Sequence, residues 1–401
     1  YRPDAVALTI FRTDVPLVTH ATSAAQASVA RVLDGFLSTD GNAQSARLYT
    51  AINALADDDI TVALESIAGT SHAGTIRALG QGQRAANQLI TQRLDAVAGG
   101  FASLRGGGAG LLAGSALGLG VAPGPARHGA WLRGFGGAGN VDVGGGFDDQ
   151  SLQFGGLAAG YDVRLNAGMS IGLVGIFSES TLDQGRPFAE VRTDAWSLGG
   201  YGRWRDGPWS LDAIASYARQ QFKSIRTLAL GAGAGDVSAS YDGDTWNIRT
   251  QAGYAIGQRV TWEPFVAMQY ARFATDAYAE RGGPLALVVD DSTDNSVRSQ
   301  LGLRVTTPIR TTAALDLAVS AFAAWSHEFT DDGTLAATIA GDPLVTTLNI
   351  AGTAAADDAA TFGAAVQYRA GPRSQLFAGF NGEIDADQSV YSANAGLRIS
   401  W

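Results

Sequence analysis

The residues that could carry chemistry in this chain are few. Four histidines, His20, His72, His128 and His327, are scattered along 401 residues without the short i, i+3 or i, i+4 repeats that zinc ligands use. Cysteine is absent, which removes disulfide frameworks and thiolate metal sites, so neither a metal centre nor a cofactor is expected. No Ser/His/Asn or Asp/His set can be assembled from histidines so dispersed, which argues against a hydrolytic centre. The acidic pairs Asp148-Asp149, Asp290-Asp291, Asp331-Asp332 and Asp357-Asp358 read as solvated loop charge, with divalent-cation sharing the alternative. The patterned charges are different. Arg133, Arg203, Arg249, Arg298, Arg304, Arg369 and Arg398 sit on one parity of alternating stretches, together with Asp212, Asp316, Glu328 and Glu383. Such ladders suit ion pairing and hydrogen bonding better than bond making.

The elements that must position those ladders alternate with a period of two. In the last fourteen residues Trp401, Ile399, Leu397, Ala395, Ala393 and Tyr391 oppose Ser400, Arg398, Gly396, Asn394 and Ser392. Trp209, Leu211, Ala213, Ala215 and Tyr217 oppose Ser210, Asp212 and Ser216 in the same way. Twelve strands are predicted, at about 129–140, 152–164, 168–179, 193–205, 209–223, 244–257, 260–275, 295–307, 312–329, 359–370, 373–384 and 388–401. Their connections alternate between short and long. Short ones fall near 165–167, 206–208, 258–259, 308–311 and 371–372; long ones fall near 141–151, 180–192, 224–243, 276–294 and 330–358, with a brief sixth near 385–387. A soluble sandwich has no reason to sort loops by end, whereas a transmembrane barrel has tight turns on one side and longer loops on the other. No apolar run approaches the roughly 20 residues of a membrane helix, so membrane residence implies a barrel. Charged residues make up 16 %, against roughly 25 % in soluble domains. The net charge of −10 argues against nucleic acid.

In an even-stranded barrel the apolar face meets lipid and the polar face lines a lumen. Trp204, Trp209, Trp262, Tyr368 and Trp401 near strand ends suit interfacial girdles. His327 follows the outward parity near a long-loop end, a girdle position. Before the strands, 21–100 is read as helical and 101–128 as a Gly-rich linker. The longest helix is predicted over Ala73 to Val97, with Arg77, Gln81, Arg84, Gln88 and Arg93 among its polar flanks. At about 1.5 Å per residue it is long enough to thread the lumen; segment 106–127 is the alternative occupant. Residues 1–20 read as the tail of something larger, and Tyr1 as the start of a processed product whose export signal has been removed.

The stretches Trp131-Leu132-Arg133-Gly134-Phe135-Gly136, Gly155 to Asp162, Trp196 to Gly202, Glu263-Pro264-Phe265, Leu301-Gly302-Leu303-Arg304 and Ala395 to Trp401 resemble the C-terminal translocator of a type V autotransporter. Leu64 to Ala73 is similar to the helical junction such proteins carry before the barrel. The resemblance implies a transmembrane β-barrel of 12 antiparallel strands in the bacterial outer membrane, exporting and anchoring an upstream passenger on the cell exterior. It implies outer-membrane lipid and lipopolysaccharide as surroundings, periplasmic chaperones and the barrel assembly machinery as partners, and a monomer. The assembly signal would be the aromatic-ended last strand, with Tyr391, Leu397, Ile399 and Trp401. The ladders would then hold the threaded helix, and the emptied pore would prefer anions. Some relatives cleave at an asparagine in the pore helix, but their surrounding motif is not visible around Asn87. Competing readings are a 12-stranded porin-like channel, which has no need of about 125 residues before its first strand, and an outer-membrane barrel hydrolase.

Overall fold

The computed structural model describes residues 15–38, 51–98, 127–141, 149–231, 235–283, 285–311, 315–330, 334–340, 346–351, 356–371 and 373–401. Residues 1–14 and the linker 99–126, with the readings made of them, lie outside the described residues.

Twelve antiparallel strands close into a barrel: β1 (His128–Val141), β2 (Gln150–Arg164), β3 (Met169–Gln184), β4 (Ala189–Asp206), β5 (Trp209–Leu228), β6 (Gly235–Tyr254), β7 (Thr261–Thr275), β10 (Ser292–Thr311), β11 (Leu315–Glu328), β14 (Asp358–Arg369), β15 (Ser374–Ile384) and β16 (Gln388–Ser400). Each pairs with its sequence neighbour in the barrel, and β1 meets β16 from Gly129↔Ser400 to Val141↔Gln388. Closure leaves no unpaired strand edge, which a hydrocarbon environment demands.

The parity is inverted relative to a soluble protein. Leu173, Trp196, Leu198 and Leu301 are 60–68 % exposed on the outer wall, while Arg203, Asp212 and Arg133 are 2–4 % exposed inside. Burying arginine and exposing leucine is favourable only when the outside is oil and the inside polar. Trp204, Trp209, Trp262 and Trp401 ring the short-turn rim, about half exposed, whereas Tyr368 is partly covered. His327 is on the outer face, and its Nδ1 lies 2.8 Å from the accepting Asp358 carboxylate.

Two expected long loops are mostly strand. The β3–β4 and β5–β6 hairpins run on to Gln184/Ala189 and Leu228/Gly235. The physical reason is a second inversion. Beyond the apolar belt the outer face turns polar, with Ser238, Ser240 and Asp242, and the inner face turns apolar, with Val237, Ala239 and Tyr241 buried. A search for oily-outside alternation stops where the bilayer stops.

Two more of the long loops, 276–294 and 330–358, also carry structure. Strands β8 (Tyr278–Ala279), β9 (Leu287–Val289), β12 (Thr334–Ile339) and β13 (Leu348–Ala351) form a separate sheet in the order β13-β12-β9-β8. Against it pack two helices, α1 (Ala24–Ser38) and α2 (Asp57–Ala68). Their shared core includes Leu33, Ile60, Leu64 and Ile67 from the helices and Leu287, Ile339, Leu348 and Ile350 from the sheet. Asp57, Asp58 and Asp59 occupy the first turn of α2, where the helix dipole favours negative charge. Gly69, at φ +66°, ends α2 in the left-handed conformation and turns the chain into α3 (Thr70–Ala98), a 29-residue helix.

Candidate functional site

Helix α3 runs down the barrel. Its first turn lies at the long-loop rim, where His72 Nε2 contacts Glu280 Oε1 at 2.9 Å. Its last turns lie at the short-turn rim, where Arg93 pairs with Asp162 and Asp95 with Arg203. The reading of 73–97 as one long helix thus corresponds to an observed helix of 70–98.

Two faces of the helix meet two kinds of wall. Ile90 and Leu94 press against Trp131, Ala158, Val174, Ile176, Tyr201 and Ile214 of β1 to β5. Nearer the long-loop rim, Ala78 and Leu79 abut Leu152, Leu182, Val191 and Phe222. The Trp131 indole donates to the Tyr201 hydroxyl at 2.8 Å, so this inward tryptophan keeps its polar edge satisfied. The opposite face is polar. Glu383 of β15 receives Arg84 at 3.2 Å, Gln81 at 3.3 Å and Arg298 at 3.0 Å. Asn87 and Asn247 exchange amide hydrogen bonds at 3.1 and 3.0 Å, and Gln92 donates to Asn381 at 3.0 Å. Gly379 permits that approach, since a Cβ there would lie 2.7 Å from the Gln92 amide oxygen.

The short-turn end is a clamp of charges. Asp162 takes Arg93 through one oxygen and Arg398, at 2.8 Å, through the other. Arg203 joins Asp212 on the neighbouring strand to Asp95 of the helix at 2.7 Å, and Arg304 reaches Asp95 at 3.1 Å. Arg133 donates to the Leu89 carbonyl at 2.8 Å and lies 4.2 Å from the Phe377 ring centroid.

Among the predicted lumen residues, Arg133, Arg203, Asp212, Arg249, Arg298, Arg304, Glu383 and Arg398 therefore line the interior around α3. Two, Glu328 and Arg369, depart from the expectation of holding it. Glu328 caps the long-loop end of β10, accepting from the Ser296 hydroxyl and the Val297 N–H at 2.8 and 2.9 Å. Arg369 is exposed at the short-turn rim, where its strand leaves the enclosed interior. The Asp316 side chain lies outside the described residues, and its strand register sets it opposite Arg310. On the helix, Gln81, Arg84 and Arg93 make the contacts above, Gln88 lines a cavity and Arg77 is half-buried. Asp162 and Glu263 were legible by parity, being on the inward positions of their strands. His72 and Glu280 carried no signal, because Glu280 lies in a loop. On β16, Tyr391, Leu397, Ile399 and Trp401 are 40–52 % exposed on the outer wall. Trp401 and His128 exchange backbone hydrogen bonds at 3.0 Å across the seam.

At the long-loop rim, Arg226, His72 and Glu280 tie the cap to the helix. Arg226 grips Glu280 at 2.5 Å and donates to the carbonyls of Ser66 and Ile67 at the end of α2. Burial alone would raise the Glu280 carboxyl, but hydrogen bonds and charge from Arg226 and His72 bring it down to about 2.

An inverted twelve-stranded barrel filled by one helix defines an outer-membrane translocator. The match to known families agrees: the autotransporter beta-domain covers residues 130–381, and the chain belongs to that family. The curated relatives include an extracellular serine protease of Serratia marcescens, 24 % identical over 67 % of this chain and 26 % of that protein. Esterase EstA of Pseudomonas aeruginosa is 28 % identical over 44 % of this chain and 29 % of its own length. The matches thus span under a third of these relatives. Among solved structures, the translocator domain of autotransporter NalP from Neisseria meningitidis superposes with a TM-score of 0.60 at 16 % identity, over 82 % of this chain and 99 % of that one. The transport unit of AIDA-I from Escherichia coli gives 0.53 at 13 % identity, over 72 % and 95 %. The short-turn rim accordingly faces the periplasm and the long-loop rim the cell exterior.

Proposed function

We propose that this chain anchors an upstream passenger in the outer membrane, having served as the pore for its export by type V secretion, and that it performs no reaction itself. The observation that carries this is the direction of α3. It enters at the external rim and ends at the periplasmic rim, so the segment before it emerges outside the cell and the segment after it can return to β1. A porin has no use for such a threaded strand of chain. The ladders of the lumen and the polar flank of α3 then hold the helix as a plug.

The test is conductance in a planar bilayer. A chain beginning near residue 125 is expected to give large, steady steps, and the whole chain small or rare ones. Equal conductance of the two would overturn the plug. The emptied pore is expected to favour anions, and a clearly cation-selective reversal potential would contradict that. The outward residues of β16, ending in Trp401, are the surface we assign to the barrel assembly machinery, with periplasmic chaperones preceding it and lipid and lipopolysaccharide surrounding the finished monomer. Hydrolase activity in the purified chain would point instead to a barrel enzyme.

A further inference from the structure

The charges around α3 do not balance evenly. Six arginines, Arg84, Arg93, Arg203, Arg298, Arg304 and Arg398, share the carboxylates of Asp95, Asp162, Asp212, Glu263 and Glu383. Arg133 and Arg249 form no ion pair among the described residues. A guanidinium cannot shed its proton to escape an apolar environment, and an unpaired buried charge is costly. Arg133 has the Phe377 ring and a backbone carbonyl. Arg249 is 8 % exposed, and donates only to the neutral side-chain oxygens of Gln300, at 2.8 Å, and Gln251, at 3.0 Å.

Arg249 also borders empty space. A cavity of about 30 Å³ lies between α3 and the β6, β7, β10 and β11 side of the wall, lined by Arg249, Gln251, Gln300 and Arg304, with Thr91 and the carboxylate of Asp95 on the helix side. One water needs roughly 10–15 Å³ by the same measure, so a small ion and a water fit. One further donor on this lining, Gln251 Nε2, is buried without a hydrogen-bond partner. Arg304 Nη1 lies 3.1 Å from Asp95, a carboxylate that it shares with Arg203 at 2.7 Å, so one negative charge faces two guanidinium groups there. A donor without an acceptor, beside a guanidinium without an ion pair and a second that shares its carboxylate, describes the complement of a negatively charged acceptor. The linker 99–126, which contains no carboxylate, cannot supply one.

We propose that the plugged barrel binds a small monovalent inorganic anion, of the size and charge of chloride, in the cavity against Arg249, Gln251 and Arg304. The anion completes the charge balance of the helix-filled lumen, so it belongs to the closed state and not merely to the open pore. Bromide is the probe. In crystals of the refolded full chain grown in bromide, an anomalous peak is expected within hydrogen-bonding distance of the Arg249 guanidinium. An ordered water there, or bromide found only at the protein surface, would overturn the site. In detergent, replacing sodium gluconate by sodium bromide at constant ionic strength is expected to raise the melting temperature by about 2 °C. Gln300→Glu supplies an internal carboxylate to Arg249, and should abolish both the bromide shift and the peak. Should that variant fail to fold, Arg249→Gln is read in its place by the same two measurements. A bromide shift of unchanged size in either variant would show a general salt effect and end the proposal.

Discussion

The lumen and the external cap hold the same stretch of chain by opposite means. In the lumen, α3 is gripped by side chains that carry charge or amides: Arg93 by Asp162, Asp95 by Arg203 and Arg304, Arg84 by Glu383. In the cap, α1 and α2 are gripped by packing, with Leu33, Leu64 and Ile67 at 0 % exposure against Leu287 and Leu348 at 0 %. The difference teaches what each region must do. The wall that meets the polar flank of α3 carries charges and amides that must be satisfied with or without the helix, while leucine enters the lumen only against the apolar flank, as Leu152 and Leu182 do. The cap sits in water outside the membrane, where burying apolar surface is the strongest force available. One region is built to be occupied, the other to stay shut.

The sharpest way to break the lumen side is Asp162→Asn. It leaves Arg93 of the helix and Arg398 of β16 without their carboxylate, and removing one partner of a buried pair costs roughly 3–5 kcal/mol. Helix residence in the pore should fall by roughly two to three and a half orders of magnitude at about 1.4 kcal/mol per tenfold. Frequent opening steps of the full chain in a planar bilayer are the expected reading, and a silent trace would show that the apolar flank of Ile90 and Leu94 holds the helix unaided.

The corresponding cut in the cap is Leu64→Ala. It removes a fully buried side chain and should cost about 3 kcal/mol of local stability, within the range for core leucines. Limited proteolysis should then clip the chain between α1 and α3, while the barrel keeps its resistance to unfolding. Loss of the barrel as well would mean that cap and barrel form one cooperative unit.

The barrel was legible in the sequence because one physical rule, oil outside and polar inside, is written into every strand at period two. The register of β16, the even strand count and the inward arginines all follow from that rule. Legibility failed where the rule changes. Val237, Ala239 and Tyr241 turn their apolar side inward above the membrane, so the upper hairpins looked like loops. The four short strands of the cap sheet have two to six residues each, too few for any periodicity to speak. The partners within the lumen were half visible: parity gives the inward residues, but not which of them meet the helix. Arg84 and Glu383 are far apart in sequence, and only their strands' positions in the closed barrel bring them to 3.2 Å.

The joint between the two regions gives the smallest effect and the finest test. Glu280 belongs to the cap loop, His72 to the first turn of α3 and Arg226 to β5, and all three side chains are 1–3 % exposed. The Tyr278 hydroxyl beside them is pushed well above its ordinary value by burial and by Tyr241 and Glu280, so it stays neutral through the physiological range. Glu280 is held down to about 2, below an unfolded carboxylate. A depressed carboxyl stabilises the folded state above its unfolded value and loses that contribution as pH falls toward the folded one. The joint should therefore hold unchanged from pH 8 to about 5 and weaken between roughly pH 4.5 and 2. Hydrogen exchange over residues 66–72 would read it, with Glu280→Gln losing protection at neutral pH and losing the acid step with it. A joint that kept its full protection down to pH 2, or kept it in Glu280→Gln, would show that packing around Leu287 and Tyr278 holds α3 to the cap and that the Arg226–Glu280 pair does not.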